Sequence, residues 1–283
     1  MKQHACWLVS LLPLTAVADD ARLALTTELS SELRAYLQEA AHPQQSGDDF
    51  GVSFSVLPEV YYAWSRDGSV TLRPFARWDS IDDERTHADL RELLVQQRYG
   101  DFDLRAGIGR VFWGVTESVH LVDIVNQTDL VENPDGEDKL GQPMLNLAWT
   151  TSAGTLSGFV LPYFRERRLP GAEARLRAPL PYDRGDAVYE SDDEERHVDW
   201  ALRWSLATGD MDIGLSHFSG TARAPRFIAR PTDAGPVLTP VYDLIEQTGL
   251  DANLVSGGWI WKLEAIHQHS RAEDYDAVAG GFE

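Results

Sequence analysis

Ser216, His217 and Ser219 place two hydroxyls beside an imidazole, the residue types of a hydrolytic nucleophile and its base. At a membrane surface such a pair would cleave lipid esters. A single extended strand rarely brings both members to reacting distance, and no third group here orients the imidazole, so no enzyme is expected. His267 and His269 are two apart and share a strand face, as two metal ligands could. They continue the apolar row Trp259, Trp261 and Leu263, and are expected at an interface instead. Asn133-Pro134-Asp135-Gly136-Glu137-Asp138 is acidic and rich in turn formers, without the ligand periodicity and closing Glu of an EF-hand loop. Ser191-Asp192-Asp193-Glu194-Glu195 reads as a solvated acidic loop. No catalytic residue, metal or cofactor is expected.

A second set of charged residues recurs at period two within apolar segments. Arg73, Arg77 and Asp79 alternate with Val70, Leu72, Pro74 and Ala76. Asp103 and Arg105 alternate with Phe102, Leu104 and Ala106. Asp199 and Arg203 alternate with Val198, Trp200, Leu202 and Trp204, and Lys262 and Glu264 with Trp259, Trp261, Leu263 and Ala265. Glu92 joins them with Gln96 and Arg98, although Leu90 and Leu94 blur the alternation there. Period two is that of a strand with one apolar and one polar face. Were the apolar face to meet lipid, these residues would line an aqueous lumen. Rings of mixed sign would set up a transverse field that tunes selectivity. The same residues could equally be salt bridges that hold a wall together.

The elements that must carry them are strands almost throughout. The segments 21–38, 51–65, 70–79, 89–99, 102–113, 143–152, 155–164, 197–208, 211–223, 239–256, 258–270 and 275–283 read as strands. Seven of the nine tryptophans lie in or at the ends of these segments: Trp78, Trp113, Trp149, Trp200, Trp204, Trp259 and Trp261. Tight turns at Arg66-Asp67-Gly68-Ser69, Gly100-Asp101, Ala153-Gly154, Gly209-Asp210 and Ser256-Gly257-Gly258 alternate with long polar connections near 39–50, 80–88, 114–142, 165–196 and 224–238. Alternation of short and long connections is what an up-and-down transmembrane β-barrel shows; a soluble exported sandwich has crossovers instead. The expected fold is therefore an all-β, antiparallel up-and-down transmembrane barrel of about twelve strands.

Charge and the N-terminus agree with export. Residues 1–18 read as a signal peptide, with an apolar run from Ala5 to Val17 and the small-x-small pattern Ala16-Val17-Ala18. Residues 19–283 would form a single barrel domain. Cys6 is the one cysteine, so cleavage after Ala18 would leave a chain without disulfides. No later run approaches 18 apolar residues, which excludes a membrane-spanning helix. A net charge of −20 excludes a nucleic-acid role. It suits a surface that meets the divalent cations bridging lipopolysaccharide.

The connection 114–142 is too apolar for a solvated loop, and loops this long without a role are uncommon. It is expected to fold into the lumen and narrow it. Glu117, Asp123 and Asp129 are then the candidates to meet permeating ions. Its flanks, Gly109-Arg110 and Phe112-Trp113-Gly114, lead into Asn126-Gln127-Thr128-Asp129-Leu130 and Lys139-Leu140-Gly141-Gln142-Pro143. With Arg73-Pro74-Phe75-Ala76-Arg77, Leu161-Pro162-Tyr163-Phe164-Arg165-Glu166 and Gln247-Thr248-Gly249-Leu250-Asp251, these stretches resemble a family of uncharacterised proteobacterial outer-membrane porin-like barrels, distantly similar to alginate-export-type channels. The resemblance spans the chain beyond residue 18 and implies a fold and a location in the outer membrane, with no substrate. It also implies further strands at the C-terminal side. An incomplete barrel is accordingly expected, open between 21–38 and 275–283; a closed twelve-stranded barrel is the competing expectation. The function expected is passive diffusion of small hydrophilic solutes, with outer-membrane lipid and lipopolysaccharide as surroundings and a homo-oligomer compatible. The alternative is a structural or surface-binding barrel that acts through its long extracellular loops.

Overall fold

The computed structural model describes residues 6–17 (as backbone), 22–183 and 185–283. The expected cleavage point after Ala18 lies outside them. The strands are β1 (Cys6–Val17), β2 (Leu23–Ala35), β3 (Phe50–Ala63), β4 (Gly68–Asp79), β5 (His87–Tyr99), β6 (Phe102–Gly109), β7 (Gln142–Thr151) and β8 (Gly154–Leu161). There follow β9 (Val188–Tyr189), β10 (Asp199–Thr208), β11 (Met211–Thr221), β12 (Arg226–Arg230), β13 (Val237–Tyr242), β14 (Leu244–Ser256), β15 (Trp259–Ser270) and β16 (Tyr275–Phe282). Thirteen of them form one sheet in the order β1-β2-β3-β4-β5-β6-β7-β8-β10-β11-β14-β15-β16, each antiparallel to its neighbours. Setting β1 aside, twelve strands remain, one for each expected segment.

The up-and-down order is thus present, whereas closure is not. Among the described residues, β16 pairs only with β15, and β1 only with β2. The closed twelve-stranded alternative is not formed. Three boundaries also differ from the sequence reading, each for a local reason. Strand 102–113 stops at Gly109, where Asn126 accepts from the backbone N–H of Val111 and turns the chain away from the sheet. Strand 155–164 stops at Leu161 because Pro162 has no N–H to continue the ladder. Segment 239–256 divides at Asp243. Its first part, β13, leaves the large sheet and joins β12 and β9 in a separate three-stranded sheet.

The two faces of the large sheet have opposite chemistry. Leu25, Leu29 and Leu33 of β2, Leu145 and Leu147 of β7, Leu202 of β10, Leu215 of β11 and Leu263 of β15 are all exposed on one face. The opposite face carries the charged residues, and there Glu32, Arg91, Asp199, Asp251 and Glu264 are buried. The apolar packing cluster also lies on the charged side. Met144, Phe159, Ala201, Phe218 and Ile266 of the sheet close over Trp113, Val122 and Val125 of the connection between β6 and β7.

One irregularity explains the blurred alternation of the segment at 89–99. Pro58 and Pro74 stand opposite each other in β3 and β4, where regular pairing lapses between Val56–Ala76 and Val60–Leu72. On the other side of β4, Arg73 pairs with Glu92 but Pro74 with Leu90, so Arg91 is the extra residue of a β-bulge. A proline cannot donate to a ladder, and a bulge accommodates that gap. The bulge turns both Arg91 and Glu92 to the charged face and restores alternation beyond them.

Gly107 marks the closest backbone approach in this region. Its φ is +129°, and a Cβ there would stand 2.1 Å from the carbonyl oxygen of Leu93. Gly107→Ala should therefore destabilise the sheet by about 1–3 kcal/mol through backbone strain and a forced shift of β5. Urea unfolding in detergent micelles measures this; no measurable loss would contradict the β5–β6 register.

Candidate functional site

The connection between β6 and β7, residues 110–141, packs against the charged face of the sheet and is the candidate site. Asn126 clasps its two ends together. The side-chain oxygen accepts from Val111 N at 2.8 Å, and the amide nitrogen donates to Gly109 O at 2.9 Å and Leu140 O at 2.8 Å. Within the loop, Asp129 N donates to Asp138 O, and Lys139 lies 3.2 Å from the Asp123 carboxylate. These bonds make the segment compact before it meets the sheet.

Glu264 on β15 fixes one end of the loop. Its Oε1 accepts from Val115 N at 2.8 Å, Thr116 N at 3.0 Å and Thr116 Oγ1 at 2.7 Å, while Oε2 accepts from Val122 N at 3.2 Å. Gly114 makes this approach achievable: its φ is +136°, and a Cβ would stand 2.8 Å from Glu264 Oε1. Nearby, Arg203 pairs with both oxygens of Asp251 at 2.8 Å and stacks over the Trp113 ring. Arg223 donates to Val125 O at 3.0 Å and to Asp199 at 2.8 Å, and Asp199 also accepts from Thr221 N.

The other end of the loop offers carboxylates to cations. Arg77 of β4 holds Glu132 through Nε and Nη2, at 2.7 Å for the shortest contact. Arg91 stands 2.7 Å from Asp129 and 3.1 Å from Asp89. Arg85 bridges Glu32 at 2.8 Å, Asp79 at 2.7 Å and the carbonyl of Val131 at 2.8 Å. Burial raises the Glu132 carboxyl above its ordinary range, and Arg77 works against that rise. Burial likewise raises Asp123, opposed by Lys139 and by the Trp113 N–H.

Together these anchors require the sheet to curl. In the sheet order β5 and β15 are seven steps apart, about 34 Å if the sheet were flat. Val122 bonds to the Glu264 side chain of β15 and Asp129 to the Arg91 side chain of β5, and the seven residue steps between them reach about 25 Å only when fully extended. The loop is not extended, so the sheet wraps round it.

The residues singled out from the sequence fall into three groups. Arg73 and Glu92 remain partly accessible on the inner face: Arg73 lies 3.2 Å from Glu59 and 3.9 Å from Glu92. Asp103 and Arg105 are also partly accessible there, 3.6 Å apart, with Gln96 donating to Asp103 at 2.7 Å. Arg77, Asp79, Asp199, Arg203 and Glu264 face the same way but are engaged in the anchors above. Lys262 pairs with Glu117 and with Glu283. The three loop acids differ from one another. Glu117 is exposed, whereas Asp123 and Asp129 are buried against Lys139 and Arg91, because an apolar loop can enter a charged interior only with its own acids paired. Sequence reasoning did not single out Arg85, Arg91, Asn126, Glu132 or Arg223. The bulge hid Arg91, Arg223 falls at the end of the expected strand 211–223 but two residues beyond the end of β11, and the others sit in connections that have no periodicity to read.

The remaining candidate chemistries are likewise placed by the structure. His217 Nδ1 is 3.0 Å from Thr248 Oγ1, and its ring lies against Trp200. His267 and His269 are exposed and pair separately with Asp276 and Asp274. His87, Asp129 and Glu132 bring ligand atoms within 4.8 Å of one another, a set the sequence did not reveal. Arg77 and Arg91 already neutralise both carboxylates there, and their charges oppose a cation. Compared with known proteins, the chain matches no family model and no curated sequence.

Glu264→Ala would leave three backbone donors of the loop without an acceptor, at about 1–3 kcal/mol for each that stays buried. The expected outcome is new cleavage at 114–122 under limited proteolysis in detergent, with the sheet intact by circular dichroism. Unchanged protection would show that Glu264 does not hold the loop.

Proposed function

We propose that the protein is an outer-membrane channel for passive diffusion of small hydrophilic solutes, with the 110–141 loop narrowing its lumen. The observation that carries this reading is the inversion of the sheet. Its free face is a broad band of exposed leucine, valine and aromatic side chains, which gives way to His217, Glu246, His267 and Asp276 toward the long connections of β11–β16, while most charged residues of the strands are on the enclosed side. Water does not favour that arrangement, and an exposed apolar surface of this extent marks a face that meets lipid or a partner. A membrane β-barrel has this polarity.

Aromatic residues at both ends of the strands support it. Toward the long connections Phe54 stacks on Trp78; toward the tight turns Phe102 stacks on Trp149 and Trp261 meets Phe282. Phe54 and Tyr62 on β3 are eight residues apart, about 27 Å along the strand. At the tilt usual for such strands, about 40°, that is about 20 Å along the membrane normal, near the height of a lipid-facing band. A wall in lipid has no free edge, so in the channel we propose β16 is paired within the membrane.

A second reading, a barrel that binds through its outer loops, has one observation in its favour. The connections after β8 and β11 form a structured rim, in which β12, β13 and β9 pair and Phe164, Tyr189 and Tyr242 pack together. Conductance separates the two. Protein extracted in detergent from the membranes of cells that make it should give discrete conductance steps in planar bilayers, larger in Glu264→Ala, which frees one end of the loop and leaves its other anchors in place. Absence of steps at every salt and voltage would contradict the channel and favour the rim.

The face assignment has its own test. Leu202→Arg, on the apolar side, should cost about 2–4 kcal/mol in a lipid-refolded preparation. Ser205→Arg, on the charged side, should cost much less; an equal cost for both would reverse the assignment.

A further inference from the structure

Between the charged face of β2–β5 and the inserted loop lies a cavity of about 360 Å³. Arg73, Arg77, Arg91, Arg110 and Lys139 reach its wall, together with the carboxylates Glu28, Glu32, Glu132 and Asp138. Most of these cations are spoken for: Arg77 by Glu132, Arg91 by Asp129 and Lys139 by Asp123. Arg110 is different. It makes no hydrogen bond or ion pair with any of the described residues. Desolvation and then Arg73 hold its guanidinium below the ordinary range, with Arg91 adding to this; Glu92 and Asp138 act the other way. Arg73 is only loosely paired: its Nε stands 3.2 Å from the Glu59 carboxylate without an aligned hydrogen bond, and Nη1 lies 3.9 Å from Glu92. A guanidinium partly removed from water without a direct partner costs the folded state, a cost that an arriving anion would offset.

The same wall carries two apolar side chains on an otherwise charged face. Leu57 of β3 and Phe75 of β4 both line the cavity, and the Arg91 guanidinium lies 4.5 Å from the Phe75 ring centroid. A guanidinium fork matches a carboxylate with two parallel hydrogen bonds. Leu57, and the small part of the Phe75 ring that Arg91, Arg77 and His87 leave uncovered, provide contact for an uncharged body attached to it.

We infer that this cavity binds a small carboxylate with an apolar body, held by Arg110 and Arg73 at its charged end and by Leu57 and Phe75 at the other. Naming the bound molecule a permeating solute rests on the channel reading; the binding itself does not. The site needs no rearrangement of the loop's anchors, because Arg110 has no partner to give up.

Titration calorimetry on the full chain in detergent tests it, with benzoate as the probe and inorganic phosphate and benzyl alcohol as comparisons. Benzoate should bind, benzyl alcohol should not, and phosphate should bind more weakly than benzoate. Arg110→Gln should weaken benzoate binding roughly tenfold or more, the effect of losing a charged hydrogen-bond pair. Leu57→Ser should reduce the preference for benzoate over acetate, and Arg226→Gln, on the rim sheet, should change neither. Equal binding of benzoate and benzyl alcohol, or no effect of Arg110→Gln, would overturn the anion site. Phosphate binding as tightly as benzoate would overturn the apolar-body assignment. A chain that binds benzoate but never conducts contradicts the channel alone, and one that conducts but does not bind benzoate contradicts this inference alone.

Discussion

A sheet with charge on its enclosed side is stable only if those charges find partners, and here the 110–141 loop supplies them to Glu264, Arg77 and Arg91. Removing one partner of a buried pair leaves the other uncompensated, at several kcal/mol. The loop meets this constraint at both ends with opposite chemistry. Toward β15 it presents backbone N–H groups to the carboxylate of Glu264; toward β4 and β5 it presents Glu132 and Asp129 to Arg77 and Arg91. Val122 and Val125 fill the space between, against Phe218, Ile245 and Ile266. The loop thereby doubles as the core that the sheet would otherwise lack.

The same arrangement divides the interior by role. On the β10–β15 side the charges are consumed in anchoring: Asp199 with Arg223, Arg203 with Asp251, Glu264 with the loop. On the β2–β5 side pairing is less complete, with Arg110 unengaged among the described residues and Arg73 held loosely. Mixed charge lining a water-accessible space has direct consequences for passing ions, whereas fully paired charge mainly fixes geometry. The functional candidates therefore concentrate on the first strands of the sheet rather than across its whole width.

Much of this was legible in the sequence because strands and faces are written with period two. The order of the twelve strands, their tight turns and the side to which Arg77, Asp199, Arg203 and Glu264 point all follow from alternation, which a one-residue slip would reverse. The bulge at Arg91 was not legible, because alternation alone does not locate an inserted residue, though the opposed Pro58 and Pro74 were a signal. Nor was the division of 239–256 at Asp243, since β13 and β14 are both extended and differ only in their partners. The apolar content of 114–142 indicated an inward fold. The burial of Asp123 and Asp129 depends on Lys139 and Arg91 meeting them, and such contacts leave no trace in spacing.

In the proposed channel the exposed apolar face meets lipid while the charged face encloses the loop. Nitroxide labels placed singly at Leu145, Asn146, Leu147 and Ala148 of β7, in a Cys6→Ser background and reconstituted into vesicles, test it most directly. Collision with oxygen, which partitions into lipid, is compared with collision with a water-soluble nickel chelate. High oxygen and low nickel accessibility are expected at Leu145 and Leu147, with oxygen accessibility falling at Asn146 and Ala148. Uniform accessibility along the strand, or nickel reaching Leu145 and Leu147 freely, would contradict it.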